Sequence, residues 1–267
     1  MAASNIAWEP SEDDSAARVL RDHGFTGVEI APTKRWESPI EATKKDIAEY
    51  RSAWEKRGLQ IVSMQSLLFG RNDLQLFGNQ ITQRALKEYL TGLIELAAGL
   101  GATTLVFGSP KNRKRGKVPM DQACEIASDF FREMGAIAAS HGCVLCIEPN
   151  PPEYECDFIN TMSEAAHLAQ TVKSRGVGVQ CDLGSMMYNG ENPLVALKEA
   201  DPFVRHVHIS EKELAELSSK DLNFLAAAGL REIQYKGWVS IEMRAAKSGS
   251  RIEALDRAAG FVSGIYG

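Results

Sequence analysis

Eight short apolar segments, rich in residues that favour β-strands, alternate with longer amphipathic stretches along the whole chain. Parallel strands joined by helices produce this alternation. The 267 residues suit one closed barrel of roughly 250 residues, and no linker or low-complexity segment divides them. We therefore predict one domain over residues 1–267 with an α/β fold, a single (β/α)8 TIM barrel. A doubly wound open sheet is the competing architecture.

The predicted elements follow from the apolar runs and from the helical periodicity between them. The predicted strands are 5–8, 27–31, 59–64, 103–107, 143–148, 177–182, 203–209 and 238–242. The predicted helices are 12–23, 40–57, 81–100, 120–141, 162–175, 192–200, 221–235 and 251–264. The chain has no G-x-G-x-x-G after its first strand, no P-loop and no G-x-S-x-G, so the usual signatures of the open-sheet alternative are missing.

Charge and hydropathy exclude several classes of partner. The net charge of −5 argues against a nucleic-acid partner, because such proteins usually carry a basic face. No run of about 18 apolar residues is present, so no membrane partner is predicted. The beginning of the chain lacks the basic and apolar regions of a secretion signal, and the five cysteines lie mostly in apolar patterns. Both features predict a cytoplasmic protein with reduced thiols.

Four chemically reactive side chains stand at the ends of predicted strands in the second half of the chain. They are Glu148, Asp182, His208 and Glu242, in the contexts VLCIEPN, VGVQCDL, VRHVHIS and WVSIEMR. Successive members are about one βα unit apart, so parallel strands would bring them to one rim of a barrel. Unpaired charges in apolar strands cost several kcal/mol or more, and a shared cation removes that penalty. The pattern predicts a metal site with these four ligands.

Carboxylate and imidazole ligands suit one divalent ion, with Mn²⁺, Mg²⁺, Co²⁺ and Zn²⁺ as the candidates. Such an ion can chelate a hydroxyl and the adjacent carbonyl of a substrate, which stabilises an enediolate. Glu148 and Glu242 would then be the catalytic acid and base. Taken singly, each residue also has a structural interpretation. Glu148 could pair with a lysine, Asp182 could cap a turn, and His208 could be a hydrogen-bonded core histidine.

The motifs IEP with Glu148, CDLG with Asp182, HVH with His208 and SIE with Glu242 carry a family resemblance. The chain resembles the xylose isomerase-like TIM barrel superfamily in its sugar phosphate isomerase/epimerase branch, and it is similar to ketose 3-epimerases and hydroxypyruvate isomerase. The resemblance spans all eight βα units. It implies that these four residues bind the metal, that the two glutamates move the proton, and that Glu29 matches a polar residue at the second strand end.

The chain departs from that family where substrate contacts are expected. Ser185 stands where the family often has a histidine, and Glu211 with Lys212 stands where an arginine often follows the seventh strand. His206 and Arg244 share strand faces with His208 and Glu242. The predicted substrate-binding residues are Glu29, Asn150, Ser185, His206, Glu211 and Arg244. The predicted aromatic walls of the pocket are Trp8, Trp36 and Phe69. The basic loop 111–117, KNRKRGK, is either solvated or a clamp for an anionic substrate.

These features favour a metal-dependent isomerase or epimerase of carbohydrate metabolism, acting on a small keto-sugar, polyol or keto-acid. A metal-dependent dehydratase of the inosose or 3-dehydroshikimate type is the first alternative, because an enolate beside a hydroxyl can eliminate it. A non-catalytic sugar-binding barrel is the second. An endonuclease IV-like enzyme would need many histidines, and the chain has five. The expected partner is a small molecule, an anionic one being an option, and a homo-oligomer stays open.

Overall fold

A computed structural model describes residues 1–246 and 249–267 and contains a closed barrel of eight parallel strands in sequential order. The strands are β1 Ala2–Ser4, β2 Gly27–Ile30, β3 Gln60–Met64, β4 Thr104–Phe107, β5 Val144–Ile147, β6 Val177–Asp182, β7 Val204–Ile209 and β8 Trp238–Ile241. The sheet closes where Ala2 pairs with Ser240 and Ala3 pairs with Ile241. The predicted (β/α)8 TIM barrel is confirmed.

Helices form the outer layer of the barrel. Those in the described ranges are α1 Asp13–Asp22, α2 Lys44–Lys56, α3 Gln80–Leu100, α4 Met120–Ser140, α5 Met162–Val172, α6 Leu183–Asn189, α7 Pro193–Ala200, α8 Lys220–Glu232 and α9 Arg251–Tyr266. Helix α3 shows why they form. Its buried residues Leu86, Leu90, Leu93 and Ala97 recur at helical spacing and face the sheet. The helix ends at Gly101, whose φ of +85° lies in the left-handed region that glycine adopts most readily.

The predicted first strand, 5–8, is wrong. The strand is Ala2–Ser4, and Asn5–Ala7 form a 3₁₀ turn instead. The Asn5 side chain accepts a hydrogen bond from the backbone N–H of Ala31 at 2.8 Å, so this turn is tied to the next strand end. The other seven predicted strands agree with the structure within one residue at each end.

The helix predictions need correction in several places. The helices predicted at 162–175 and 221–235 end three residues earlier, at Val172 and Glu232. The second helix begins at Lys44 rather than at residue 40, because Thr43 and Asp46 form a capping box there. Helix α6 was not predicted. It is only seven residues long, too short for a clear periodic pattern, and it begins at Leu183, directly after Asp182, whose carboxylate caps it.

Two further observations bear on the composition argument. All five cysteines are free, as predicted. Within residues 1–246 and 249–267, every helix is too short or too polar to cross a membrane.

Candidate metal and catalytic site

Of the four residues from the strand ends, the three carboxylates converge on the Nδ1 atom of His208. That atom lies 3.1 Å from Oε2 of Glu242, 3.6 Å from Oε1 of Glu148 and 3.9 Å from Oδ2 of Asp182. One ligand atom from each residue lies within 4.8 Å of the other three. The His208 side chain is fully buried, whereas the three carboxylates keep 7–13% of their surface exposed. The carboxylates therefore open towards solvent above a buried imidazole.

The charges of this cluster fit a divalent cation. Burial raises the pKa of Glu242 to about 7, and burial together with the neighbouring Glu148 raises the pKa of Asp182. Both shifts mean that the site disfavours its own negative charge. Three carboxylate oxygens and one imidazole nitrogen are a donor set that Mn²⁺, Mg²⁺, Co²⁺ and Zn²⁺ all accept, and a cation would relieve the repulsion. The residues present thus fit the metal predicted from the sequence.

Asp182 is held in place from two sides. Its Oδ1 accepts a hydrogen bond from the backbone N–H of Ser185 at 2.6 Å, which caps α6, and its Oδ2 accepts one from Oγ of Ser210 at 2.6 Å. Ser210 Oγ in turn accepts from the backbone N–H of Gly184 at 2.8 Å. The capping role considered from the sequence is therefore real. It also fixes the carboxylate near His208.

Glu148 lies against the backbone of Gly108. A Cβ atom added at Gly108 would stand 2.0 Å from Oε2 of Glu148, far inside contact distance. The same Oε2 accepts a hydrogen bond from Nδ2 of Asn150 at 3.3 Å. The glycine in the sequence FGSP thus provides the space that the Glu148 carboxylate occupies.

We expect Gly108→Ala to lower catalytic turnover about 100-fold, since a misplacement of about 1 Å costs that much. Its backbone is not in the left-handed region, so the added methyl group acts through its clash with Glu148 alone. The change in kcat is measured by steady-state kinetics with a keto-sugar that the wild-type protein converts. Gly264→Ala is the matched control, because a Cβ there meets nothing within 4 Å. Wild-type turnover in the Gly108 variant would contradict this account of the site.

A buried carboxylate inside the barrel supports His208 from its other side. Oε1 of Glu29 accepts hydrogen bonds from Ser63 Oγ at 2.8 Å and His206 Nε2 at 2.9 Å. Oε2 of Glu29 accepts from His208 Nε2 at 2.9 Å and Ser240 Oγ at 3.0 Å. Strand register makes these contacts possible, because Glu29 pairs with Ser63 and His208 pairs with Ser240. Each carboxylate oxygen accepts two hydrogen bonds.

The charge state of Glu29 follows from these contacts. Burial alone would raise the pKa of Glu29, but His208 and His206 outweigh it and hold the pKa well below its usual range. Glu29 is therefore ionised and acts only as an acceptor, so each imidazole carries a proton on Nε2. This arrangement directs Nδ1 of His208 towards the three carboxylates, where a metal ligand atom is needed.

A cavity of about 1000 Å³ opens at the C-terminal rim of the barrel above the three carboxylates. Of the six predicted substrate-binding residues, Asn150, Ser185 and Arg244 line this cavity. Of the three predicted aromatic walls, Phe69 lines it, whereas Trp8 is fully buried elsewhere. Trp36 packs against Tyr50 and is not among the lining residues either. The cavity thus joins residues from several loops to the carboxylate cluster.

The other three predicted substrate contacts lie away from the cavity. Glu29 and His206 are fully enclosed in the barrel and bind each other. Glu211 is also buried, and its carboxylate accepts hydrogen bonds from the backbone N–H groups of Ser218 at 2.8 Å and Ser219 at 2.6 Å. The carboxylates of Glu29 and Glu211 accept hydrogen bonds within the protein, and His206 is enclosed in the barrel, so none of the three lines the cavity.

The basic loop 111–117 is mostly held by the protein itself. Arg115 bonds to Asp157 through its backbone and its guanidinium, and Lys114 lies 3.5 Å from Glu155. Arg113 is buried and donates to the backbone carbonyl of Glu148. Lys111 alone of the five cations lines the cavity. An anion clamp built from the whole loop therefore does not form.

Known proteins match this chain over most of its length. The family described as "Xylose isomerase-like TIM barrel" matches residues 17–263. The chain belongs to this family. A similar protein is 3-dehydro-D-guloside 4-epimerase of Escherichia coli K12, which is 24% identical over 250 residues, with 90% of each chain covered. The predicted class, an enzyme of the sugar isomerase and epimerase type, is confirmed by the family and this relative.

Solved structures share the fold. The apo 3-keto-D-glucoside 4-epimerase of E. coli has a TM-score of 0.80 and 21% identity, covering 98% of this chain and 97% of that one. D-psicose 3-epimerase of Clostridium cellulolyticum H10, solved with D-tagatose, has a TM-score of 0.80 and 17% identity, with 99% and 98% covered. The IolI protein, solved with a zinc atom, has a TM-score of 0.77 and 18% identity, with 99% and 97% covered.

Proposed function

We propose that the protein is a divalent-metal-dependent epimerase or isomerase that moves a proton at the carbon next to the carbonyl of a keto-sugar. The observation that carries this proposal is the convergence of Glu148, Asp182 and Glu242 on His208 at the floor of an open cavity. Two relatives, a 3-dehydro-guloside 4-epimerase and a psicose 3-epimerase, invert a carbon beside a carbonyl. The same chemistry fits two carboxylates placed around one metal position.

In this proposal the two glutamates divide the proton transfer. Glu148 follows β5 and Glu242 follows β8, so two strands separate them on the rim and their carboxylates approach the site from different sides. One carboxylate removes the proton from one face of the carbon, and the other, in its acid form, returns a proton to the opposite face. A bound Mn²⁺, Mg²⁺, Co²⁺ or Zn²⁺ would supply the positive charge that stabilises the enediolate.

The remaining residues would bind and orient the substrate. Asn150 and Arg244 line the cavity and carry hydrogen-bond donors suited to sugar hydroxyl groups. Ser185 also lines the cavity. Its backbone N–H donates to Asp182, and its hydroxyl group would contact the ligand. Glu29 orients His208 and thereby keeps the metal position intact.

Metal content and proton exchange test this function together. The wild-type protein and the His208→Ala variant are reconstituted with Mn²⁺, Co²⁺, Mg²⁺ and Zn²⁺, and bound metal is measured by elemental mass spectrometry. Wild type is then incubated with a panel of keto-sugars in D₂O and followed by NMR. We expect about one ion per chain in wild type and its loss in the variant. We also expect the product to carry deuterium at one carbon and to have lost no water.

The outcomes separate the alternatives. Loss of water from the product would replace the epimerase by a dehydratase acting at the same carboxylates. Bound metal without any proton exchange would favour a sugar-binding barrel. Absence of metal from wild type under all four reconstitution conditions would overturn the proposal.

A further inference from the structure

Phe69 presents a large apolar surface at the lip of the cavity. Its side chain is 72% exposed, and it lines the cavity that holds the three carboxylates. In contrast, the leucine side chains of the β3–α3 loop around Phe69 are buried. These are Leu67, Leu68, Leu74 and Leu76. A loop that encloses its leucines and leaves one phenylalanine open forgoes a substantial gain from burial, which a ligand in the cavity could recover.

The position of Phe69 is fixed by bonds on both sides of it. Its backbone N–H donates to the carbonyl of Ser66 at 3.1 Å. Downstream, Nδ2 of Asn112 donates to the carbonyls of Arg71 at 2.7 Å and Leu74 at 2.6 Å, which ties this loop to the β4–α4 loop. The Arg71 guanidinium also lies 4.5 Å from the ring centre of Tyr89. The ring therefore stands on an anchored loop.

The cavity is larger than one sugar ring requires. Its volume of about 1000 Å³ is at the top of the range that drug-sized ligands fill. A keto-sugar whose reacting carbon reaches Glu148 and Glu242 would occupy the floor and leave the lip free. Tyr154 and Tyr188, whose ring centres are 5.3 Å apart, form a second aromatic part of the cavity lining. The space between floor and lip accommodates a second ring.

We propose that the substrate is a glycoside, with its keto-sugar ring at the carboxylates and the flat apolar face of its second ring stacked on Phe69. This inference rests on the proposed function and adds the class of substrate. Aromatic stacking on an exposed phenylalanine rewards a planar or ring-shaped partner more than a methyl group. Phe69 is thus a specificity-determining residue that takes no part in proton transfer.

Matched substrates test the ring site. The methyl and 4-nitrophenyl 3-keto-β-D-glucosides are compared on wild type, Phe69→Ala and the control Ile81→Ala. Ile81 is 70% exposed at the start of α3 and is not a lining residue of the cavity. We expect wild type and the control to favour the 4-nitrophenyl compound about tenfold in kcat/KM, and Phe69→Ala to show equal kcat/KM for the two compounds. Equal kcat/KM for the two substrates in wild type, or a preference that survives in Phe69→Ala, would overturn the inference.

Binding distinguishes this inference from the proposed function. If wild type turns over neither substrate, the affinities of the unreactive methyl and 4-nitrophenyl β-D-glucosides are measured by calorimetry. Tighter binding of the 4-nitrophenyl compound, lost in Phe69→Ala and kept in Ile81→Ala, supports the ring site even if the reaction is another one. Equal affinities, or binding of neither glucoside, would overturn it.

Discussion

Replacing Glu242 by glutamine is expected to slow proton exchange in the keto-sugar about 10²- to 10⁴-fold, and Glu148→Gln should have an effect of the same size. Glutamine keeps the shape of the side chain and one oxygen that can face a metal, but its amide cannot accept or deliver the proton. Both carboxylates lie within 3.6 Å of Nδ1 of His208 at the cavity floor. The measurement is the rate of hydrogen–deuterium exchange at the carbon beside the carbonyl.

Two controls are needed, one for the substitution itself and one for metal binding. Glu153→Gln is the control for the substitution, because Glu153 lines the same cavity, is exposed, and is not part of the carboxylate cluster. Its exchange rate should stay within about twofold of wild type. Metal content of every variant is measured in parallel. Slow exchange in a variant that still holds its ion assigns the residue to proton transfer, whereas wild-type exchange in both glutamine variants would exclude that role.

Strand ends were the part of the site that the sequence could predict. Asp182 and Glu242 stand where apolar runs stop, and parallel strands carry such positions to one rim. Repetition of the pattern made this inference robust to small errors. The first strand shows the limit, since MAAS is too short for a periodic signal, and its pairing with β2 and β8 selects residues that look no more β-prone than their neighbours.

The sequence predicted which side of a strand a residue faces better than how close that residue lies to the cavity. The alternation of strand residues correctly places His206 on the same side as His208, and both bind Glu29. It does not tell which of two inward residues reaches the cavity, so His206 was predicted to contact substrate, whereas Glu29 was predicted to do so from the family resemblance. Ser63 and Ser240 carried a usable signal, because each is a polar residue inside a predicted apolar strand, in the same way as the histidines.

The walls of the cavity depend on loops and had the weakest sequence signal. Tyr154, Tyr188 and Leu214 line it from the segments after β5, β6 and β7. No periodicity governs such segments, so a sequence pattern does not place their side chains. Gly108 is a similar case, since only the path of the neighbouring Glu148 side chain shows why a glycine is needed there.

Glu29→Gln is expected to lower the free energy of unfolding of the metal-free protein by about 3 kcal/mol. The carboxylate accepts four hydrogen bonds, from His206, His208, Ser63 and Ser240. A glutamine amide accepts on one side only, and its NH₂ group faces donors on the other. One imidazole must therefore give up its proton on Nε2. Urea unfolding in the presence of a chelator measures the loss.

The same substitution should weaken metal binding about 10- to 100-fold. If the NH₂ group of the glutamine faces His208, Nε2 of that imidazole must accept, and its proton lies on Nδ1, where the metal would bind. If the NH₂ group faces His206 instead, the proton of that buried ring lies on Nδ1, which has no hydrogen-bond partner among the residues that the structure describes. In both cases the metal site loses the negative charge of Glu29 behind His208. Calorimetric titration with Mn²⁺ or Zn²⁺ measures the affinity of each variant.

Ser63→Ala separates this role of Glu29 from simple packing. It removes one of the four donors and costs about 1 kcal/mol of stability, but it leaves both imidazoles bonded to an intact carboxylate. Metal affinity should then stay within a few-fold of wild type, whereas in Glu29→Gln it falls together with stability. Equal metal affinity in both variants would mean that Glu29 stabilises the barrel without orienting His208 for metal binding.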